Sequence, residues 1–271
     1  MREAFGDFAY CAKASHDFLE TLQSKGHEIG WHPHLWRWKG KWLAELEDKD
    51  FVRNCLLNGF NSMRDQFEIT SVRTGWNSMS NGIMETLESL GILADFSANP
   101  GYMYKEDVLG ISADWREAPT GFYFPSREDY RRPAQTSDGA FKVLEMPVTL
   151  TKTPRAVRWA RWFVDRYRKA SRWPNQYEAI NIAKHPMFNR NGFESAFNKR
   201  NGDYCKHIVT SFHPIDVVNE RLSSNQWGLM SMQNLEHNVK YLLTRCKEEK
   251  IQLKTMTAAE VAEDYLRTHN R

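Results

Sequence analysis

The chain has 271 residues with 37 Lys+Arg against 34 Asp+Glu, a formal charge of +3. Its 41% hydrophobic and 26% charged residues are those of a globular protein that buries a core, which excludes disorder as the main state. So small a net charge gives no ground for nucleic acid as a partner. Aromatic residues make up 13% and include ten tryptophans, a surplus that suits either a large aromatic core or a cleft facing flat ligands such as sugar rings. Cys11, Cys55, Cys205 and Cys246 are scattered with no C-x-x-C pair, as reduced thiols would be. No apolar run approaches the roughly 18 residues of a membrane span. MREAFGDFAYCAKA lacks a hydrophobic signal core, so a cytoplasmic protein with no membrane span is predicted.

Residues 14–25 carry Phe18, Leu19 and Leu22 at helical spacing, with Gly26 placed to stop the helix. HEIGWHPH then reads as a short strand running into a loop. A helix is predicted over 41–66, a strand over 68–75 (EITSVRTG), a helix over 80–91 ended by Gly91, and a strand over 92–97 before the NPG turn. This alternation with short links is the pattern of α/β proteins with parallel strands. Residues 98–140, richer in Pro, Gly, Tyr and charge, read as a long excursion. Next come a strand over 141–150, a basic amphipathic helix from Arg155 to Arg172, and a buried strand at 207–214 (HIVTSFHP). The chain closes with a helix over 231–250, a strand IQLKTMT, and a last helix opened by a capping box between Thr257 and Glu260. No repeat, low-complexity tract or linker interrupts it, so a single domain over 1–271 is expected.

Several predicted strands end in chemically capable residues: His32 and His34, Arg73, Asp95 and His213. In parallel barrels and doubly wound sheets the site lies at the carboxyl ends of the strands, which points to an enzyme. Within GHEIGWHPHLWRW (26–38), His32 and His34 are two apart, so in a strand both project to one face and can converge on one ion. Zinc accepts imidazole readily, and a catalytic zinc usually takes three protein ligands plus water. The alternative is a pair of loop histidines satisfied by backbone carbonyls. The zincin helix motif H-E-x-x-H is not met, because three residues separate Glu28 from His32 and Gly30 disfavours a helix. Trp36, Trp76 and Trp115 are the candidates to stack on a sugar ring, against the plainer reading of core or rim.

Taken in order, these segments resemble the polysaccharide deacetylase (NodB-homology) family. GHEIGWHPHLW is similar to its second motif, in a variant with one residue between the histidines where three are usual. SVRTGWNSMSNGIMETLESLGILADFSANPG resembles the third motif, with Arg73 as its arginine, and SFHP the last, with His213 as its histidine. The resemblance implies a distorted (β/α)7-type barrel that removes the N-acetyl group of an amino sugar or polysaccharide precursor with a divalent metal, Zn2+ being expected. It implies His32 and His34 as metal ligands, Arg73 as the residue orienting the carboxylate base, and His213 as general acid, with Asp95 or Asp114 as the aspartate that tunes the acid.

The family's first motif, a strand ending in aspartates that supply the base and third ligand, has no counterpart before His32. Asp7 is the nearest upstream carboxylate. The chain is therefore expected to be N-terminally truncated relative to the family, either through an internal start or as a form without its base. Losing the base should slow hydrolysis about a hundredfold or more, and an unpaired barrel edge invites dimerisation. Two alternatives stand beside this. An amidohydrolase-type barrel also opens with H-x-H and would draw on His185, His207, His213 or His237. A non-catalytic glycan-binding protein would use the basic helix 155–172 against an anionic glycan, unless that helix is simply a solvated face.

Overall fold

A computed structural model describes residues 9–44, 46–106, 110–153, 155, 158–159, 162, 171–172, 177–198, 207–213, 217 and 230–269. The chain divides into two compact units. The first comprises Met1–Pro147, Lys169–Trp173 and Met256–Arg271; the second comprises Val148–Arg168 and Pro174–Thr255. Among the described residues there are seven α-helices and four small sheets, an α/β protein in which no sheet closes into a barrel. No described helix is long and apolar enough to cross a membrane.

In the first unit, the N-terminal helical stretch is split into α1 (Tyr10–Ala14) and α2 (His16–Ser24), with Gly26 at φ +84° behind it. The helix expected over 41–66 starts later. Its first residues belong instead to an antiparallel hairpin of β1 (Trp36–Trp38) and β2 (Trp42–Ala44), turned at Gly40 with φ +72°. Helix α3 (Lys49–Arg64) begins where Asp48 accepts from the Phe51 amide at 2.9 Å, a local capping signal that outweighs the propensity upstream. Helix α4 (Asn81–Ser89) is capped by Ser80 in the same way, and Gly91 ends that stretch at φ +79°.

Between these helices lies a parallel array. β3 (Ser71–Val72) pairs with β4 (Ala94–Asp95), and β4 with β7 (Leu144–Glu145). On the other side of β3, Trp31 makes a parallel bridge to Val72, its amide donating to the Ser71 carbonyl at 2.9 Å and its carbonyl accepting from Arg73 at 2.9 Å. The strands are shorter than the sequence suggests. Pro147 has no N–H to continue the ladder beyond the Met146–Asp95 bond, so the run 141–150 breaks there. A three-stranded antiparallel sheet orders β6 (Ile111–Asp114), β5 (Met103–Glu106) and β9 (Ser171–Arg172). The far end of the expected basic helix is thus a strand, and most of 155–172 lies outside the described residues, as do Asp7 and Cys205. The last helix (Ala258–His269) sets Ala262 into a small core with Ala94, Leu144 and Met146.

The second unit pairs β8 (Leu150–Lys152) with β10 (Tyr177–Ala179), antiparallel. Helix α5 (Pro186–Asn198) packs on β8 so closely that a Cβ on Gly192 would lie 2.9 Å from Thr151 Cβ. Helix α6 (Met232–Glu248) is capped by Ser231, and the final helix of the first unit is accordingly α7. The stretch 207–213 makes a bridge at Ser211 to Asn181 rather than a continuous strand. IQLKTMT forms no strand: from 251 to 255 its residues are exposed on both alternations, so no face is buried to hold a register.

Candidate functional site

Trp31 is buried and fixed to β3 on both sides, and Gly75 N–H donates to the Pro33 carbonyl at 2.8 Å. The segment 31–34 therefore runs alongside 72–75 and brings both histidines beside Arg73. His32 Nδ1 lies 2.6 Å from the Arg73 carbonyl oxygen. A carbonyl only accepts, so the Nδ1 proton is on His32 and the neutral ring carries its lone pair on Nε2. His34 is the reverse. The Trp36 indole N–H donates to His34 Nδ1 at 3.0 Å, which places the lone pair on Nδ1 and the proton of the neutral ring on Nε2. The two rings meet edge to face with centroids 4.9 Å apart.

These opposite tautomers decide what the pair can hold. His32 has the form of a metal ligand, its second nitrogen oriented by a carbonyl. His34 could offer Nδ1 only by giving up the Trp36 indole, or Nε2 only by moving its proton as well. Among the described residues the one cluster of three ligand-type side chains is His16, Asp17 and Glu20, on exposed α2 and not beside the pair. The described residues do not complete a zinc site.

Next to His32 is a buried charged group. Arg73 leaves the end of β3, its guanidinium donating to Asn77 Oδ1 at 3.3 Å. Burial lowers its pKa, and the negative potential of Asp95 and Glu145 opposes that shift. Asp95 and Glu145 are aligned on adjacent parallel strands, both 0% exposed. Asp95 Oδ1 accepts from the Ser97 hydroxyl at 2.6 Å and the Ser97 amide at 3.2 Å. Glu145 Oε1 accepts from the Ala98 amide at 2.9 Å. Burial raises the pKa of both carboxyls, and for Glu145 the neighbouring Asp95 adds to the rise, carrying it well above the usual range.

Ser97 links this pair to a strained turn. Its hydroxyl oxygen accepts the Thr74 amide at 2.9 Å, and the Thr74 hydroxyl donates to the Ser78 carbonyl at 2.7 Å. Within that turn Trp76 and Asn77 hold left-handed backbone at φ 58° and φ 55°, an outlying conformation for a bulky side chain. Gly75 has no side chain because His34 occupies the space: a Cβ there would stand 2.3 Å from His34 Nδ1. Trp76 is 48% exposed and lies nearly parallel to Tyr104, ring centroids 6.0 Å apart.

Of the three tryptophans expected to meet substrate, then, Trp76 presents a partly open face. Trp36 is half-buried and holds His34. Trp115 is 0% exposed, its indole N–H donating to the Asn77 carbonyl at 2.8 Å, so it supports the turn from beneath. Asp114 is held below the usual carboxylate range by Arg116, with Arg131 also bonded to it, and belongs to a surface ion network. His213 is an exposed residue of the second unit, as are His185 and His237, while His207 there is half-buried. Glu28 caps α7, accepting from Ala259 N–H at 3.1 Å and from the Thr70 hydroxyl at 3.1 Å.

Glu145 and Ser97 had escaped the sequence reading. The signal for Glu145 was present as a lone acid inside the apolar run FKVLEMPVTL, since an ionisable group in a buried strand needs a partner. Compared with known family models, with curated proteins and with solved structures, the chain matches none, and no family membership is assigned on that basis.

Proposed function

We propose that the chain hydrolyses an N-acyl amide on an amino sugar or polysaccharide precursor, in the manner of the polysaccharide deacetylases that its motifs resemble. The observation that carries this reading is the order of the parallel array. Trp31, β3, β4 and β7 are neighbours in chain order, as in a singly wound (β/α) barrel, whereas a doubly wound sheet reverses direction at a switch point. At or just beyond the carboxyl ends stand His32, Arg73, Asp95 and Glu145, so the chemistry gathers where such folds place it. Trp76, partly open beside Tyr104, supplies a ring platform. Zinc is the proposed ion, with His32 and His34 as its proposed ligands.

The test is acetate release from an N-acetylated chitooligosaccharide by the purified chain with zinc, alongside metal analysis. Wild-type protein should release acetate, and His32→Ala should lower the rate at least a hundredfold and reduce bound zinc. The ligand set, incomplete among the described residues, also favours a second reading, a protein that binds glycans without cleaving them. Oligosaccharide binding with no acetate released at any zinc concentration would establish that reading in place of the first.

A further inference from the structure

We propose that Asp95 and Glu145 share one proton between Asp95 Oδ2 and Glu145 Oε2, and that Glu145 is thereby the positioning residue for Asp95 and for the 95–98 loop. The inference holds whatever reaction the site performs. Each carboxyl has one oxygen fully engaged: Asp95 Oδ1 by Ser97, Glu145 Oε1 by the Ala98 amide. The other two oxygens, Asp95 Oδ2 and Glu145 Oε2, are buried with no hydrogen-bond partner among the described residues. Asp95 and Glu145 are register partners on adjacent parallel strands, so their side chains leave the sheet on the same side. Two ionised carboxylates would repel each other in a dry interior and have no hydrogen to place between them. One proton between them supplies the missing bond and satisfies both oxygens.

The proton belongs on Glu145. Asp95 accepts two donors from Ser97, which favours its ionised form, and the Ser97 hydroxyl is oriented by the Thr74 amide it accepts. Arg73, reaching over from β3, then balances a single negative charge. Among the described residues Tyr123, bridged to Glu145, and Tyr130 beyond it also approach the pair; burial raises both phenols, so neither adds charge. A neutral Glu145 thus lets one arginine and two acids occupy the interior with no net charge. The same contacts pin Ala98 and Ser97, and through Ser97 the Thr74–Ser78 turn that carries Trp76.

The proposal has a signed pH signature. The folded chain keeps a proton that the unfolded chain releases above about pH 4.3. Stability from this group is therefore complete below that pH and is lost as pH rises toward the folded value of Glu145, by about tenfold in the folding constant per pH unit. Glu145→Gln needs no proton: its amide N–H2 donates to Asp95 and its oxygen accepts from Ala98. The folding constant of Glu145→Gln relative to wild type should rise with pH between 5 and 8, and a ratio independent of pH, or one that falls, overturns the proposal. Amide exchange at Thr74 and Ala98 should be slow in wild type and in Glu145→Gln but fast in Glu145→Ala; equal protection in all three refutes the positioning role. Should the variants not fold, infrared spectra of wild-type protein at pH 7 decide the matter. A protonated-carboxyl carbonyl band that shifts in D2O is expected, and its absence overturns the shared proton.

Discussion

Trp76 is held in a conformation that costs its backbone about 1–3 kcal/mol, and the neighbours that enforce it are known. Trp115 donates to the Asn77 carbonyl from below, Arg73 reaches Asn77 Oδ1, and Thr74 ties the turn to Ser78 and Ser97. Glycine adopts this region without penalty. Trp76→Gly should therefore raise stability by about 1 kcal/mol in denaturant titration, while weakening the binding of an N-acetylated oligosaccharide. A variant both less stable and still able to bind would show that the indole is part of the core rather than a platform. The histidine pair was legible from its spacing alone, but its protonation was not. That is set by a carbonyl 41 residues away for His32 and by an indole two residues on for His34.

At the level of elements, the signals that came through were those written within a few residues. Gly26 and Gly91 follow the second and fourth helices at positive φ. Ser231 caps α6, and the Thr257–Glu260 box is formed in both directions, Thr257 N–H to Glu260 Oε2 at 2.8 Å and Glu260 N–H to Thr257 Oγ1 at 3.2 Å. Strand lengths did not come through, because pairing partners rather than propensity decide where a ladder stops. Glu28 shows the same gap: nothing in the residues around it marks it as a cap, yet it accepts the Ala259 N–H at the start of α7. Its carboxylate at a helix N-terminus is favoured by the exposed amides there. Glu28→Ala should cost about 1–2 kcal/mol in thermal or denaturant unfolding, with His32 chemistry untouched; a loss of zinc binding without loss of stability would show that Glu28 acts in the site rather than as a cap.

For the molecule as a whole, the alternation of predicted helices and strands indicated an α/β chain, and that much is what the structure has. The division into two units was hidden because no Pro/Gly-rich or charged linker marks it: the chain passes from one unit to the other between Pro147 and Val148, inside the run FKVLEMPVTL. Each unit has its own buried side chains, Ile83, Met84 and Leu87 among those of the first, Ile180, Ala183 and Phe193 among those of the second. Unfolding in urea should accordingly depart from a single two-state transition, with tryptophan fluorescence and far-ultraviolet circular dichroism giving different midpoints. Coincident curves would mean the units melt as one.

The bond from Ala259 to Glu28 spans 231 residues of sequence. Trp31, β3, β4 and β7 can each join a neighbour already synthesised, so the parallel array is able to grow on the ribosome in the order of translation. Its last helix cannot be held until the C-terminal residues emerge, and closing so long a loop is entropically slow. A nascent chain stalled before residue 259 would hold the array with Glu28 still waiting for the amide it caps, open to proteases and chaperones until that helix is made.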